Sequence, residues 1–549
     1  LVSDKSSIFA VEMQKVENMV EEMDDRRLPV GIQSFLEIRK EGYLYVDKTG
    51  IIWNLVNRGK KYNYLSRPRR FGKSVLVDTL QAYFEGKKEL FEGLKIMDME
   101  KNWTARPVIR LDMSRGGATG VELRAYLNRI FAKYEKEYGI QTIEGDSLGN
   151  RFDAIITTAY EQTGQQVAIL IDEYDAPLLH SWKTPDHEGC TAVYRSVFAI
   201  LKADDEYEKF VFITGITKFT QISLFSVLNN LSNISFDAPY AAICGITKQE
   251  ITDNFMPEIE AMGVNNGWTV EEAVAQLQAN YDGYHFSRNN MVDVFNPFSL
   301  INALADREIK NYWAASGATS LLPKFVDDFE IHLQDFDHCA LLGRVAETSD
   351  VTGGGAELFL YQSGYLTIKS YANGVYFLGF PNHEVRQALN EMVLPALSLR
   401  RVSNLQSTQA FLRAYLSTGN LPEAMKCLKA LIADVPYSNK KLASMDMEER
   451  YRLIISTIFN AIGCRVEVEH MLSSGRIDMV VEVYSYIYVL ELKLSQNGGL
   501  AAAEKQIQSN QYVEPFKADK RNVVVLAVEL DDMGKGLIDW KEVKGCYFN

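Results

Sequence analysis

The sequence predicts an α/β protein of several domains, the first built on a mostly parallel sheet with helices on both faces. Three observations carry this expectation. The chain has 549 residues, more than one hydrophobic core organises. Four apolar runs, Tyr62–Leu65, Pro107–Leu111, Val167–Ile171 and Phe210–Ile213, are each followed by polar or glycine residues and then a helical pattern. That strand-then-helix order belongs to a parallel sheet. The pattern then turns mainly helical from about Ile251 to Ser438, and returns to short alternating strands near the C-terminus.

The first run leads into a loop and then a helix, over Tyr64–Leu76, YLSRPRRFGKSVL. A strand, Gly72-Lys73-Ser74 and a helix form the setting of a phosphate-binding loop. Amides at a helix N-terminus point at the phosphate, and the helix dipole adds attraction. Gly72 lets the backbone approach closely, Lys73 reaches the β- and γ-phosphates of ATP, and Ser74 binds Mg²⁺. Arg69, Arg70, Phe71, Gly72, Lys73, Ser74 and Val75 are the expected nucleotide-binding stretch. Arg67 replaces the usual opening glycine and Pro68 stiffens the loop. The alternative is a solvated basic turn whose GKS is accidental.

Val167-Ala-Ile-Leu-Ile-Asp172-Glu173 supplies a second half of this site. Ligands collect at the carboxyl ends of parallel strands. Asp172 there can hold Mg²⁺ through water, and Glu173 can orient and deprotonate an attacking water. A further strand ends at Thr214, a candidate sensor of the γ-phosphate. The plainer roles are an N-cap for Asp172 and a turn residue for Thr214. Arg195 and Lys218 are candidates for an arginine-finger-like cation.

Within the helical middle, Tyr365-Leu-Thr-Ile-Lys and Val375-Tyr-Phe-Leu flank Asn373-Gly374, a tight-hairpin signal. Asn382 after Pro381 is a candidate helix cap. Helices with a hairpin wing suggest a winged-helix-like module, and an ordinary α+β subdomain fits equally.

Near the C-terminus the expected order is a helix over Met447–Ile462, strands at Cys464–Glu469, Ile477–Val483 and Tyr486–Leu494, a helix over Leu500–Tyr512 and a strand at Asn522–Val528. Strand alternation puts Glu491 and Lys493 on one face. Antiparallel pairing brings Asp478 near Glu491. Charges inside apolar strands are costly unless paired or metal-bound. Asp478 and Glu491 are the candidate ligands for Mg²⁺ or Mn²⁺, with the Leu492 carbonyl completing the set. Lys493 positions or activates the water, and the metal stabilises phosphate charge. Asp478, Glu491, Lys493 and, in the first site, Glu173 are thus the candidate catalytic residues. Glu449 or a neighbour, Gln506 and Gln508 are candidates to reach the same place; Gln508 and Tyr512 share a helical face. The alternative is a structural ion pair of Glu491 with Lys493 or Arg476.

Composition narrows the function classes. A net charge of -14 argues against a polycation that coats nucleic acid, though a basic groove can be local. The six cysteines, Cys190, Cys244, Cys339, Cys427, Cys464 and Cys546, form no CxxC or Cys/His cluster, which fits a reducing cytoplasm. No apolar run approaches the roughly 20 residues that span a bilayer, so no membrane partner is expected. The N-terminal segment lacks a signal-peptide hydrophobic region.

Taken in order, LPVGIQSF, YVDKT (Tyr45–Thr49), SRPRRFGKS, LIDEYDAP, TGITKFTQISLFSVLNNLSNIS, YDGYHF (Tyr281–Phe286), FNPFS, QSGYLTI, PNHEVR and GRID…ELK resemble the bacterial AAA-ATPase-like family fused to a PD-(D/E)XK nuclease-superfamily domain. The resemblance covers nearly the whole chain from about Leu28. It implies an ASCE-type P-loop ATPase, a helical or winged-helix-like middle and a restriction-endonuclease-like α/β end. In such proteins an arginine at position 67 is usual, and Asp478, Glu491 and Lys493 match the nuclease pattern. The YDGYHF segment has no assigned chemistry, and a packed turn is its simplest role. The expected organisation is an extension over 1–27, a P-loop domain over 28–249, a mainly helical region over 250–438 and a nuclease-like domain over 439–549. The expected partners are ATP, DNA or RNA, and further copies of the chain. ATP-regulated cleavage of nucleic acid is the leading reading; an ATP-dependent signalling or assembly switch with a non-catalytic nuclease-like domain is the alternative.

Overall fold

The computed structural model describes residues 27–141, 143, 145–217, 231–315, 339–348, 355–397, 402–433, 435, 445–472, 475–517, 519 and 521–544. The described residues separate into two compact units, the first ending at Asn382 and the second beginning at His383.

The first unit holds a five-stranded parallel sheet of β1 (Tyr62–Ser66), β2 (Val108–Asp112), β3 (Val167–Asp172), β4 (Glu208–Gly215) and β5 (Ser232–Asn233), in the order β2-β3-β4-β1-β5. The four apolar runs are the first four of these strands. β3 is buried at every position, as strands covered on both faces must be. Helices Lys73–Phe84, Gly120–Tyr138, Leu148–Thr163 and His187–Phe198 connect them. The second starts at a capping box, Thr119 with Glu122, and stops at Gly139 in a left-handed conformation. β4 stands between β1 and β3, so the loop after β1 and the acids after β3 open at the same sheet edge.

The stretch expected to be mainly helical contributes to both units. Helices Lys248–Asn254, Met256–Asn266, Val270–Tyr281 and Pro297–Asp306 share a core around Phe255, Ile259, Leu277 and Leu300. β6 (Ile246–Thr247) and β7 (Val294–Phe295) pair beside them. β8 (Cys339–Leu342), β9 (Thr367–Ala372) and β10 (Val375–Gly379) form an antiparallel sheet in the order β8-β10-β9. Asn373 and Gly374 turn the β9–β10 hairpin with φ of 52° and 82°, the paired positive values that an Asn-Gly hairpin turn uses.

In the second unit, helices His383–Leu397, Val402–Ser417, Leu421–Ala433 and Met447–Ala461 accompany a mixed sheet of β11 (Arg465–Leu472), β12 (Gly475–Val483), β13 (Tyr486–Leu494), β14 (Asn522–Leu530) and β15 (Leu537–Glu542). β13 and β14 run parallel, and the other neighbours are antiparallel. One face packs Val481, Leu490 and Leu526 against Ile455, Ile458 and Phe459. The other packs Val489 and Val525 against Ala503, Ile507 and Tyr512. β15 was not anticipated, because an edge strand with a single buried position carries little apolar pattern. No helix among the described residues is long and apolar enough to cross a membrane.

Candidate nucleotide site and carboxylate–lysine site

The first site lies where β1 gives way to helix Lys73–Phe84. Gly72 enters the helix with φ 83°, a conformation glycine adopts without strain. No side chain caps this helix start, so its amides stay available to an anion. The Lys73 ammonium is buried and donates to the carbonyls of Arg67 and Pro68, both at 3.0 Å. Arg69, Arg70, Gly72, Ser74 and Val75 line a cleft of about 660 Å³. Phe71 borders the same cleft, but its ring packs edge-on against Tyr284 and Phe286.

Asp172 and Glu173 reach this cleft from β3. The Thr214 hydroxyl at the end of β4 donates to Asp172 Oδ1 at 2.5 Å. The Glu173 amide approaches both Asp172 Oδ1 and Thr214 Oγ1, at 3.1 and 3.2 Å, from a backbone held at φ 46°. Burial raises the Glu173 carboxyl above its ordinary value, and Lys73 opposes the rise. Asp112 stands level with Asp172 on the neighbouring strand. The volume, the uncapped amides, the lysine and the acids suit a nucleotide triphosphate with a divalent cation.

Several contributors had no role from sequence alone. Lys48 of YVDKT lines the cleft and is ion-paired to Glu250 at 2.6 Å. Arg110 joins Asp78 at 2.6 Å, and Asp78 accepts from the Phe35 amide at 2.6 Å. Asp175 of LIDEYDAP is buried and accepts from the Ile216 and Thr217 amides at 2.9 and 2.6 Å. The segments holding Lys48, Phe35 and Asp175 were visible as motifs, but their long-range partners were not. Arg195 is committed to Glu188 at 3.3 Å and does not line the cleft. Lys218 lies outside the described residues.

The second site lies on the sheet of the second unit. Antiparallel pairing of β12 with β13 sets Met479 opposite Leu490, which brings Asp478 beside the strand carrying Glu491. Asp478 Oδ2 accepts from the Leu492 amide at 2.9 Å. The Lys493 ammonium stands 2.8 Å from Glu491 Oε1, 3.5 Å from Glu448 Oε1 and 4.0 Å from Asp478 Oδ2. Glu448, rather than its neighbour Glu449, is the helix acid found here. Glu491 is fully buried. Burial, then the nearby Asp478, pushes its carboxyl up to about 7 against the pull of Lys493. Burial alone would depress the Lys493 ammonium, but Glu491, Asp478 and Glu448 hold it above its ordinary value.

Tyr512 completes the cluster. Its hydroxyl lies 2.9 Å from Glu491 Oε2 and 2.6 Å from the Arg476 carbonyl, and accepts from Gln506 Nε2 at 2.9 Å. The single hydroxyl hydrogen is shared between the Glu491 carboxylate and the Arg476 carbonyl, both of which accept from it. The helix stops at Asn510 and Gln511 is left-handed, so Gln508 and Tyr512 do not share a helical face; Gln508 is exposed. Arg476 pairs with Glu469 at 2.9 Å, leaving Lys493 as the ion partner of Glu491.

Among the described residues no group of three or more His, Cys, Asp or Glu side chains is arranged to hold a metal ion. The oxygen donors of Asp478 and Glu491 nevertheless suit a hard divalent cation, although Glu491 Oε1 already faces the Lys493 ammonium at 2.8 Å.

A family model described as "Predicted AAA-ATPase", AAA-ATPase-like, matches residues 29–225, and one for the PD-(D/E)XK nuclease superfamily matches residues 446–540. A curated relative from Azotobacter chroococcum mcd 1, "Uncharacterized protein in vnfD 5'region", is 30% identical over 537 residues, spanning 94% of this chain and 98% of its own length. The chain belongs to this AAA-ATPase-like family with a PD-(D/E)XK nuclease-superfamily domain. No solved structure matches it. The phosphate loop and the Asp172–Thr214 pair lie within the AAA-ATPase-like match, and Asp478, Glu491, Lys493 and Tyr512 within the PD-(D/E)XK match.

Proposed function

We propose that the chain is an ATP-binding, Mg²⁺-dependent P-loop ATPase coupled to a metal-dependent nuclease acting on DNA or RNA. The observation that carries the first half is the convergence of Lys73, the uncapped helix start and Asp172 on one cleft. The strand order, with β4 between the loop strand and the Asp172 strand, supports an ASCE-type sheet over a domain of 28–249. Gly72, Lys73 and the flanking Arg69, Arg70, Phe71 and Val75 backbone cradle the phosphates. Ser74 and Asp172 hold Mg²⁺, Glu173 takes the proton from water, and Thr214 fixes Asp172.

In the 439–549 domain, Asp478 and Glu491 hold Mg²⁺ or Mn²⁺, Lys493 orients the attacking water, and Tyr512 orients Glu491. The metal, when bound, supplies charge stabilisation at the phosphodiester. The Lys493 ammonium set among Glu491, Glu448 and Asp478 favours a second reading. In it the nuclease-like domain binds nucleic acid without cutting, and ATP switches assembly.

The deciding experiment incubates purified protein with single- and double-stranded DNA and RNA, with Mg²⁺ or Mn²⁺, with and without ATP. Metal-dependent cleavage that Asp478→Ala abolishes supports the enzyme. Nucleic-acid binding with no cleavage under any metal supports the switch. Unchanged ATP affinity in folded Lys73→Ala removes the nucleotide site.

A further inference from the structure

The phosphate loop keeps its shape without an opening glycine, and the reason lies behind the loop. Arg67, in the glycine's place, does not line the cleft. Its guanidinium is buried and donates to the carbonyls of Ser66, Ser235 and Tyr240 at 2.8, 2.9 and 3.0 Å. It also lies over the Phe286 ring, 4.1 Å from the centroid. None of these partners is a carboxylate, so ring and carbonyl dipoles must offset the cost of burying the charge.

The rest of the loop's outer side is covered from the same segment. The Phe71 ring meets Tyr284 at 4.7 Å and Phe286 at 5.4 Å, both edge-on. The Tyr284 hydroxyl donates to the Gly364 carbonyl at 3.2 Å. Gly364 lies so close to Pro68 that a Cβ there would stand 2.6 Å from the Pro68 Cβ, and its φ of +91° disfavours other residues as well. The Lys73 ammonium in turn rests on the carbonyls of Arg67 and Pro68. A shift of either residue therefore moves the charge that meets the phosphates.

We propose that Tyr284, Phe286 and Gly364 are positioning residues that mould the phosphate loop from behind, through Arg67, Pro68 and Phe71. This gives the YDGYHF segment a role in nucleotide binding without contact to the nucleotide, and it rests on the nucleotide reading above. The glycine that usually frees the loop is replaced by an arginine anchor, and the loop's conformation is imposed by packing.

The test measures affinity of the full chain for MgATP and for tripolyphosphate by calorimetry, alongside thermal melting. Phe286→Leu removes the ring face, and Gly364→Ala presses on Pro68. Each is expected to weaken both ligands by the same factor, about tenfold, the order of a desolvated cation–ring contact, with the protein still folded. Gly364→Ala is also expected to lower the melting temperature, because its new Cβ meets Pro68 at a φ of +91°. Phe286→Tyr keeps the ring and is expected to restore affinity. Arg67→Lys keeps a charge but cannot fork to three carbonyls. It gives an independent reading, with the same loss expected, if Phe286→Leu does not fold. Wild-type affinity in folded Phe286→Leu or Arg67→Lys overturns the mould, as does a loss for ATP alone with tripolyphosphate unaffected. Lys73→Ala is the control. If it loses binding and the mould variants do not, only the mould fails; if it binds as wild type, the nucleotide reading itself fails.

Discussion

Thr214 and Asp172 close a 2.5 Å hydrogen bond across the ends of two adjacent parallel strands, so the strand that ends in Asp172 and its neighbour are locked at the cleft. Thr214→Val keeps the shape and removes the donor. A buried carboxylate oxygen then loses a partner, expected to cost about 1–3 kcal/mol of stability. The Mg²⁺ dependence of ATP binding is expected to weaken as well, because Asp172 is free to turn. Wild-type melting and an unchanged Mg²⁺ titration would show that the bond does neither.

Glu173 sits beside Asp172 with its carboxyl raised by burial. Glu173→Gln retains the volume and removes the proton acceptor. ATP binding is expected to stay within a few-fold of wild type, while hydrolysis falls by a factor on the order of 10²–10⁴. Phosphate release at the wild-type rate would move the base elsewhere.

The second unit offers a test that needs no substrate. Lys493→Met leaves Glu491 and Asp478 buried without their cation, and losing one partner of a buried pair costs about 3–5 kcal/mol. If the two carboxylates hold a divalent ion, millimolar Mn²⁺ should recover much of the lost melting temperature. A variant that melts identically with and without Mn²⁺ would leave Lys493 as a structural ion partner only.

Glu208 at the start of β4 supplies a pH test far from either site's acids. Tyr62 donates to its Oε2 at 2.6 Å, while Oε1 is buried without a partner. Burial pushes its carboxyl up to about 8, with Asp204 and Asp205 adding to the push and Tyr62 and Lys61 resisting it. An unfolded glutamate titrates near ~4.3, so the folded state holds the proton more tightly. That contribution is complete below the unfolded value and is lost as pH rises through about 8. Glu208→Gln is neutral throughout. It should melt above wild type at about pH 9, with the gap shrinking toward about pH 5. A gap that does not change with pH would mean that Glu208 does not titrate in this window.

The parallel sheet was readable because β1 to β4 are short apolar runs with turn residues after them, and the carboxylate–lysine strands because alternation fixes which side chains share a face. Three things were not readable. β15 shows too little burial to leave a pattern. The end of helix Gly499–Asn510 depends on one left-handed residue, Gln511, that no strong local signal marks. The partners of Arg67 and Lys48 lie at Ser235, Tyr240, Phe286 and Glu250, and periodicity carries no information about contacts so distant in sequence.

The placement of β1 also fixes a timetable. Its sheet neighbours are β4 and β5, so a chain emerging from the ribosome holds the GKS strand unpaired until residues beyond 208 have been made. Closing contacts that far apart is slow. Phe286 and Gly364 arrive later still, whereas β11, β12 and β13 pair with immediate neighbours. The candidate nucleotide cleft is therefore a late product of synthesis, and a nascent chain halted before residue 364 would carry every residue of the GKS motif without the packing that Gly364 and its neighbours place behind the loop.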